Sequence, residues 1–164
     1  MNKTFSLIIF LMGTLVGTSS LYASPLTAPV EAVALPSSKW VFQPPEQKDG
    51  TQKIMYPKET GQAVNVRVHT YDVPVSAKAF IEQVRANIIQ KPDYQGAEVR
   101  LLESRQVNGE SWDVFSIRRT DEINQEIWAR KTSTNVVLMI IYTGAGDYYK
   151  QYHDDLMTVI KKAS

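Results

Sequence analysis

The sequence predicts an α+β domain: a central, mostly antiparallel sheet of six to seven strands with helices packed on both faces, an α-β-α sandwich. Three observations predict it. Ala77, Phe80, Ile81, Val84 and Ile88 fall at helical spacing directly after a strand-like run at Ala63–Val73. Alternating or apolar segments then follow one another from Ala97 to Thr143 with only short turns between them, which is the order of a meander. A final amphipathic segment ends on Lys161 and Lys162, where a helix dipole favours cations. Composition agrees: 43% hydrophobic and 21% charged residues belong to a globular chain, and 164 residues to one domain.

The elements follow in order. Trp40 and Phe42 alternate with polar neighbours until Pro44-Pro45 stops the strand. Lys48-Asp49-Gly50 turns, Lys53–Tyr56 forms a second short strand, and Pro57 ends it. In the next strand Val64, Val66 and Val68 share one face, with Asn65, Arg67 and His69 on the other, so it reads as half-exposed. Ser76 is placed to cap the helix that follows, and Lys91-Pro92-Asp93 closes it. Asn108-Gly109 is a strong hairpin signal between the strands at Ala97–Val107 and Ser111–Arg119. A strict two-residue turn there pairs Val107 with Glu110, Arg105 with Trp112, Leu102 with Phe115 and Leu101 with Ser116. The next turn brings Val114 near Trp128 and Phe115 near Ile127. One face then holds Leu102, Phe115, Ile117 and Ile127. The other holds Val99, Leu101, Trp112, Val114 and Trp128. Val136–Tyr142 is apolar on both faces and belongs in the middle of the sheet. Gly144-Ala145-Gly146 breaks it, and Asp147 is placed to cap a last helix that buries Tyr149, Tyr152, Leu156, Val159 and Ile160.

Three regions precede or make up the domain. Residues 1–23 read as a cleaved signal peptide: Lys3, then an apolar stretch Phe5–Val16, then small residues up to Ala23. The apolar stretch is about a dozen residues, short of the roughly 20 needed to span a bilayer. Cleavage after Ser20 is the alternative, because Leu21 is large for its position. Residues 24–38 carry three prolines and one charge and read as an extended tether that buries little. Residues 39–164 form the single domain. The signal removes Lys3 and no acid, so 18 basic residues become 17 against 17 acidic ones. A neutral exported domain has no field to draw nucleic acid or anionic lipid. The expected location is periplasmic or secreted.

The chemistry is mostly negative. The chain has no Cys, which excludes disulfides, thiol nucleophiles, a lipidated cysteine and Cys-built metal sites. Its two histidines, His69 and His153, lack a second His at ligand spacing, so no metal, cofactor or catalytic residue is assigned. His153, beside Asp154 and Asp155, reads as part of a solvated helix face. The aromatics give the better clue. Trp112, Trp128 and Arg105 fall on one predicted sheet face, and Tyr148 and Tyr149 crowd the last helix. Core packing is one account of them. The other is a groove rimmed by Arg118, Glu126 and Arg130 that anchors a protein or peptide partner, where Trp, Tyr and Arg are enriched.

The element order resembles the PsbP-like/Mog-like family of α-β-α sandwiches, which includes the DcrB-like periplasmic lipoproteins. The residues that carry the resemblance are Trp40-Val41-Phe42, the Val64–Val68 strand before an amphipathic helix, Val107-Asn108-Gly109 before an aromatic strand, and the Tyr149–Ile160 helix. The resemblance spans Lys39 to Ala163. It implies a non-enzymatic binding or assembly protein, while the missing lipidation Cys leaves membrane tethering behind. The expected function is an exported module that contacts another envelope or secreted protein. The alternatives are a small-molecule or lipid carrier with a cavity between helix and sheet, and a hydrolase with a dispersed site near His153.

Overall fold

The computed structural model describes residues 30, 33–43 and 53–164, with side chains at 101–103 left aside. The signal segment, most of the tether, Pro44-Pro45 and the Lys48–Gly50 turn lie outside the described residues. Seven strands form one sheet: β1 (Trp40–Gln43), β2 (Lys53–Pro57), β3 (Val64–Asp72), β4 (Glu98–Val107), β5 (Glu110–Arg118), β6 (Ile123–Ser133) and β7 (Val136–Ala145). The helices are α1 (Ala77–Ile88), the single turn α2 (Tyr148–Gln151) and α3 (His153–Ala163). The strand order is β1-β2-β3-β7-β6-β5-β4, and every pairing is antiparallel. Antiparallel neighbours need only short connections, and the meander from β4 to β7 supplies them.

β7 holds the central place, between β3 and β6. Its residues Val136–Gly144 are all buried, as its two-sided apolar character predicts. β3, its other neighbour, corrects the expectation of a half-exposed strand. Val64 through Thr70 are all buried, including Asn65, Arg67 and His69. The alternation of residue types is real; the inference from polarity to exposure fails, because an interior strand is covered whatever its side chains are.

The hairpin at Asn108-Gly109 forms with both residues at positive φ, 50° and 84°, which the tight turn requires. Its register begins as predicted, Val107 opposite Glu110 and Arg105 opposite Trp112. It then shifts between Leu102 and Arg105, where β4 carries one extra residue opposite Asp113. Leu102 therefore pairs with Val114, not Phe115, and Leu101 with Phe115, not Ser116. The same slip moves Val99 opposite Ile117, where it packs with the other buried cluster from the one assigned to it. Across β5 and β6 the predicted pairs Val114–Trp128 and Phe115–Ile127 form as expected.

Two clusters of buried residues result. The first joins Trp112, Val114 and Trp128 to Trp40, to the valines of β3 and to Leu156, Val159 and Ile160 of α3. The second joins Phe115, Ile117 and Ile127 to Phe80, Ile81 and Val84 of α1. α1 is capped by Ser76, whose hydroxyl accepts the Ala79 N–H at 3.1 Å, and its predicted stripe is buried throughout. The last helix is in two pieces. Tyr152, at φ −103° and ψ 7°, interrupts it, and Asp147 makes no side-chain cap bond.

The segment expected to be a loose tether is anchored at its C-terminal part. Val30 and Val33 are buried in the first cluster and Leu35 packs against it. Lys53 Nζ donates to the carbonyls of Val30 and Val33 at 3.1 and 2.9 Å, and Lys162 Nζ to that of Leu35 at 2.7 Å. Its valines fill space that prolines and alanines would leave, so composition underrated the segment. Burying a Val or Leu side chain is worth about 1.5–3 kcal/mol. A mature protein lacking residues 24–35 is therefore expected to lose more than about 2 kcal/mol in urea unfolding; an unchanged midpoint would contradict this packing. Phe115→Ala should cost about 3–5 kcal/mol through the cavity it leaves.

Candidate functional site

The polar centre of the molecule is the carboxylate of Glu126 on β6. Strand alternation puts it on the same face as Trp128, two residues on. It is 7% exposed, and a buried carboxylate needs donors. Three reach it. Trp128 Nε1 donates to Oε2 at 3.0 Å. The Tyr149 hydroxyl donates to Oε1 at 2.6 Å, and His153 Nε2 lies 2.8 Å from the same oxygen. Tyr149 and His153 arrive from α2 and the first residue of α3, their rings against Tyr142 at 5.2 Å, tilted, and 6.2 Å, edge-on. Their approach depends on Gly144. A Cβ there would stand 2.7 Å from Tyr149 Cα, so any other residue would push α2 off the sheet. Tyr142 adds a hydrogen bond from its hydroxyl to the Tyr149 carbonyl at 2.8 Å.

The electrostatics follow from these contacts. Burial pushes the Glu126 pKa up, but the bonds from His153, Tyr149 and Trp128 and the His153 charge outweigh it, so the carboxyl lies below its ordinary range. The Glu126 hydrogen bond raises the His153 pKa; burial opposes, and the Glu126 and Asp154 charges reinforce it. Burial, with the nearby Glu126 charge, holds Tyr142 and Tyr149 well above the ordinary phenol range. Neutral pH thus finds an ionised Glu126, held by two protonated phenol and indole donors and by a His inclined to carry charge.

His153 is therefore not on a solvated face, as its acidic neighbours in sequence imply; it is half-buried against a carboxylate. A His–carboxylate pair is two-thirds of an acid–base relay. The third member is missing: among the described residues no hydroxyl side chain is hydrogen-bonded to His153, and its one such partner is Glu126. Nor does any group of three potential metal ligands occur among the described residues.

The residues singled out in the sequence divide into two sets. Trp112 and Trp128 are fully buried, and their N–H groups are used internally, Trp112 Nε1 donating to Ser164 Oγ at 2.9 Å. Arg130 stacks over Trp112 at 5.4 Å, pairs with Glu110 at 3.0 Å and donates to the Ala163 carbonyl at 2.7 Å, at the end of α3. Tyr149 belongs to the Glu126 cluster. Arg105, Arg118 and Tyr148 are exposed. Arg105 lies over the Trp128 ring at 5.5 Å. The hub residues Glu126 and His153 went unassigned as a pair because β6 and α3 meet only in three dimensions. The signal that pointed to them is the Glu126-x-Trp128 spacing, since a buried indole needs an acceptor.

The pair makes stability depend on pH, with a sign fixed by each shift. His153, raised, stabilises fully below its ordinary 6.5 and loses this as pH rises through its native value. Glu126, lowered, stabilises above its ordinary 4.5 and loses this as pH falls through its native value. Glu126→Gln should thus cost most between pH 4.5 and 6.5, measured by urea unfolding across pH. In the same variant the His153 proton resonances should titrate at lower pH than in the parent; an unchanged titration would exclude the pairing. Arg130→Ala should cost about 1–3 kcal/mol, because it strips a charge-assisted bond from a helix end.

No family model matches the chain, and no curated protein matches it. Among solved structures it is similar to cyanobacterial PsbP (CyanoP) from Synechocystis sp. PCC 6803, with a TM-score of 0.55 at 14% identity over 76% of this chain and 81% of that one. It is also similar to LpqN, involved in cell envelope biogenesis of Mycobacterium tuberculosis, with a TM-score of 0.50 at 10% identity over 77% of this chain and 78% of that one. At these identities the likeness is one of fold, and the fold this chain shares with CyanoP and LpqN is PsbP-like.

Proposed function

We propose that the protein is an exported, non-enzymatic binding or assembly module of the cell envelope, built as an α-β-α sandwich and acting on another protein. One observation carries the reading. The polar groups that look like a site are turned inward and used: Glu126 is bonded to three donors, Trp128 among them, and Trp112 and Arg130 hold the end of α3. Of the residues singled out in the sequence, those left for outside contact are Arg105, Arg118 and Tyr148. A groove between α1 and the sheet has little support, since Phe80, Ile81 and Val84 are buried among Phe115, Ile117 and Ile127. The fold shared with LpqN, whose role is in envelope biogenesis, supports the location. The N-terminal signal pattern supports export. The 2.8 Å His153–Glu126 contact favours one second reading, acid–base catalysis on a small substrate, with His153 as the base.

Two measurements test this. Sequencing of the exported protein should begin at Ser24 or Leu21; an intact Met1 on membrane-bound protein would count against export. The mature protein carrying His153→Asn should retain the envelope protein captured by the parent, because His153 serves the fold. Ester hydrolysis that disappears in the same variant, with no protein captured by the parent, would turn the reading to the catalytic one.

A further inference from the structure

Three registers place unlike residues side by side on the sheet face that carries Glu126. Arg105 on β4 is opposite Trp112 on β5; Arg100 is opposite Ser116, which is opposite Glu126; Arg118 is opposite Asn124. Inward, toward β7, this face is covered by the aromatics of α2 and α3. Outward, Arg100, Arg105 and Arg118 are exposed. Arg100 pairs with Glu98 on its own strand. Among the described residues Arg105 and Arg118 form no ion pair; Glu98, the register partner of Arg118 on β4, is bonded to Arg100 instead. His153, raised by Glu126, adds a titratable cation at the inner border, and Arg105 is close enough to act on it electrostatically. β4 is also the end of the sheet: ten residues long, hydrogen-bonded among the described residues to β5 alone. An edge strand offers backbone donors and acceptors at every other residue to an extended chain.

We propose that this surface, the outer edge of β4 with Arg105 and Arg118 above it, binds an acidic, extended segment of a protein partner. The proposal rests on the binding-module reading and names the partner's chemistry. Edge pairing supplies register, and carboxylates at alternate positions of the incoming segment meet the guanidinium groups, which favour planar bidentate contacts. A membrane is the weaker occupant. Among the side chains described, the large exposed hydrophobics are Phe42, Val75, Ile89 and Tyr148, and none of these is on β4 or β5, whereas a membrane-binding surface presents such residues. The extra residue between Leu102 and Arg105 kinks the edge, which discourages long pairing with a second copy and divides the edge into a stretch level with Arg118 and a stretch that carries Arg105.

The test uses isotope-labelled mature protein and a ten-residue peptide of alternating Glu and Val, with a Gln–Val peptide, phosphatidylglycerol vesicles and inorganic phosphate as separate arms. The Glu–Val peptide should shift the β4 amides and the Trp128 indole signal, and its affinity should fall at least tenfold in Arg105→Glu/Arg118→Glu. Both arginines are exposed, so the unfolding midpoint should not move; Arg105→Gln/Arg118→Gln, expected to give a smaller loss, guards against a charge reversal that perturbs folding. Equal binding of the Gln–Val peptide, shifts confined to other elements, or binding of vesicles or phosphate without the peptide would each overturn the proposal. The envelope capture separates the two levels: a partner retained undiminished by the double variant refutes this surface and leaves the module reading standing, while a partner lost with the variant supports both.

Discussion

Three buried indoles impose the central constraint on this molecule. Trp40, Trp112 and Trp128 are each within 1% of full burial, and each carries an N–H that cannot go unbonded. The sheet's own backbone is occupied by its ladders, so the acceptors must come from side chains, on the last helix or on the sheet itself. Trp40 Nε1 finds Asp155 Oδ2 on α3 at 2.8 Å. Trp112 finds Ser164 just past the end of α3, and Trp128 finds Glu126, which in turn takes Tyr149 and His153. The seating of α3 is thereby specified by hydrogen-bond geometry as well as by the burial of Leu156, Val159 and Ile160. Apolar packing alone would tolerate a helix sliding along its groove. Donors of fixed direction at both ends do not.

The break at Tyr152 follows from the same requirement. A continuous helix from Tyr148 would carry Tyr149 and His153 on one straight face. Here the chain bends, so that Tyr149 drops onto Gly144 while Tyr152 turns its ring edge-on to Trp40 at 6.0 Å and its hydroxyl to Glu59. Burial and that carboxylate push the Tyr152 phenol up, the hydrogen bond to Glu59 being the larger cause, to about 12. On the second cluster's side polar residues are handled differently. Tyr94 donates to Gln125, and Gln125 to Thr143, each at 3.1 Å, and the buried Arg119 guanidinium lies over the Tyr94 ring at 5.2 Å.

Much of the fold was legible because it rests on local signals. The Ser76 cap, the stripe from Ala77 to Ile88, the Asn108-Gly109 turn and the doubly apolar β7 each state their structure within a few residues. The errors come where a residue's fate depends on a distant one. The bulge at β4 has no signature in Leu102–Arg105; it appears only when Ser104 is seen bonded to Asp113 across the hairpin. Arg67 and His69 look solvent-facing until β3 is found inside the sheet. Val33 sits in a Pro/Ala-rich stretch whose burial depends on where Lys53 and Lys162 point.

Of the two accounts of the aromatics, core packing describes the indoles, which are fully buried. Strand alternation puts Trp112, Trp128 and Arg130 on one face of the sheet, Tyr149 meets that face from α2, and all four are bonded within the protein. A binding surface needs groups whose hydrogen-bonding capacity is still free, since a donor already satisfied internally gains nothing by exchange. By that criterion the roles separate. The indoles and Glu126 hold the helix. Arg105 is at the boundary, its guanidinium lying on the Trp128 ring, with no carboxylate partner among the described residues. Stacking on that ring restricts the side chain before any ligand arrives, so less rotamer freedom is lost on binding than a free surface arginine would lose. The buried scaffold therefore contributes to recognition indirectly, by preparing Arg105, a cation that both touches it and faces outward.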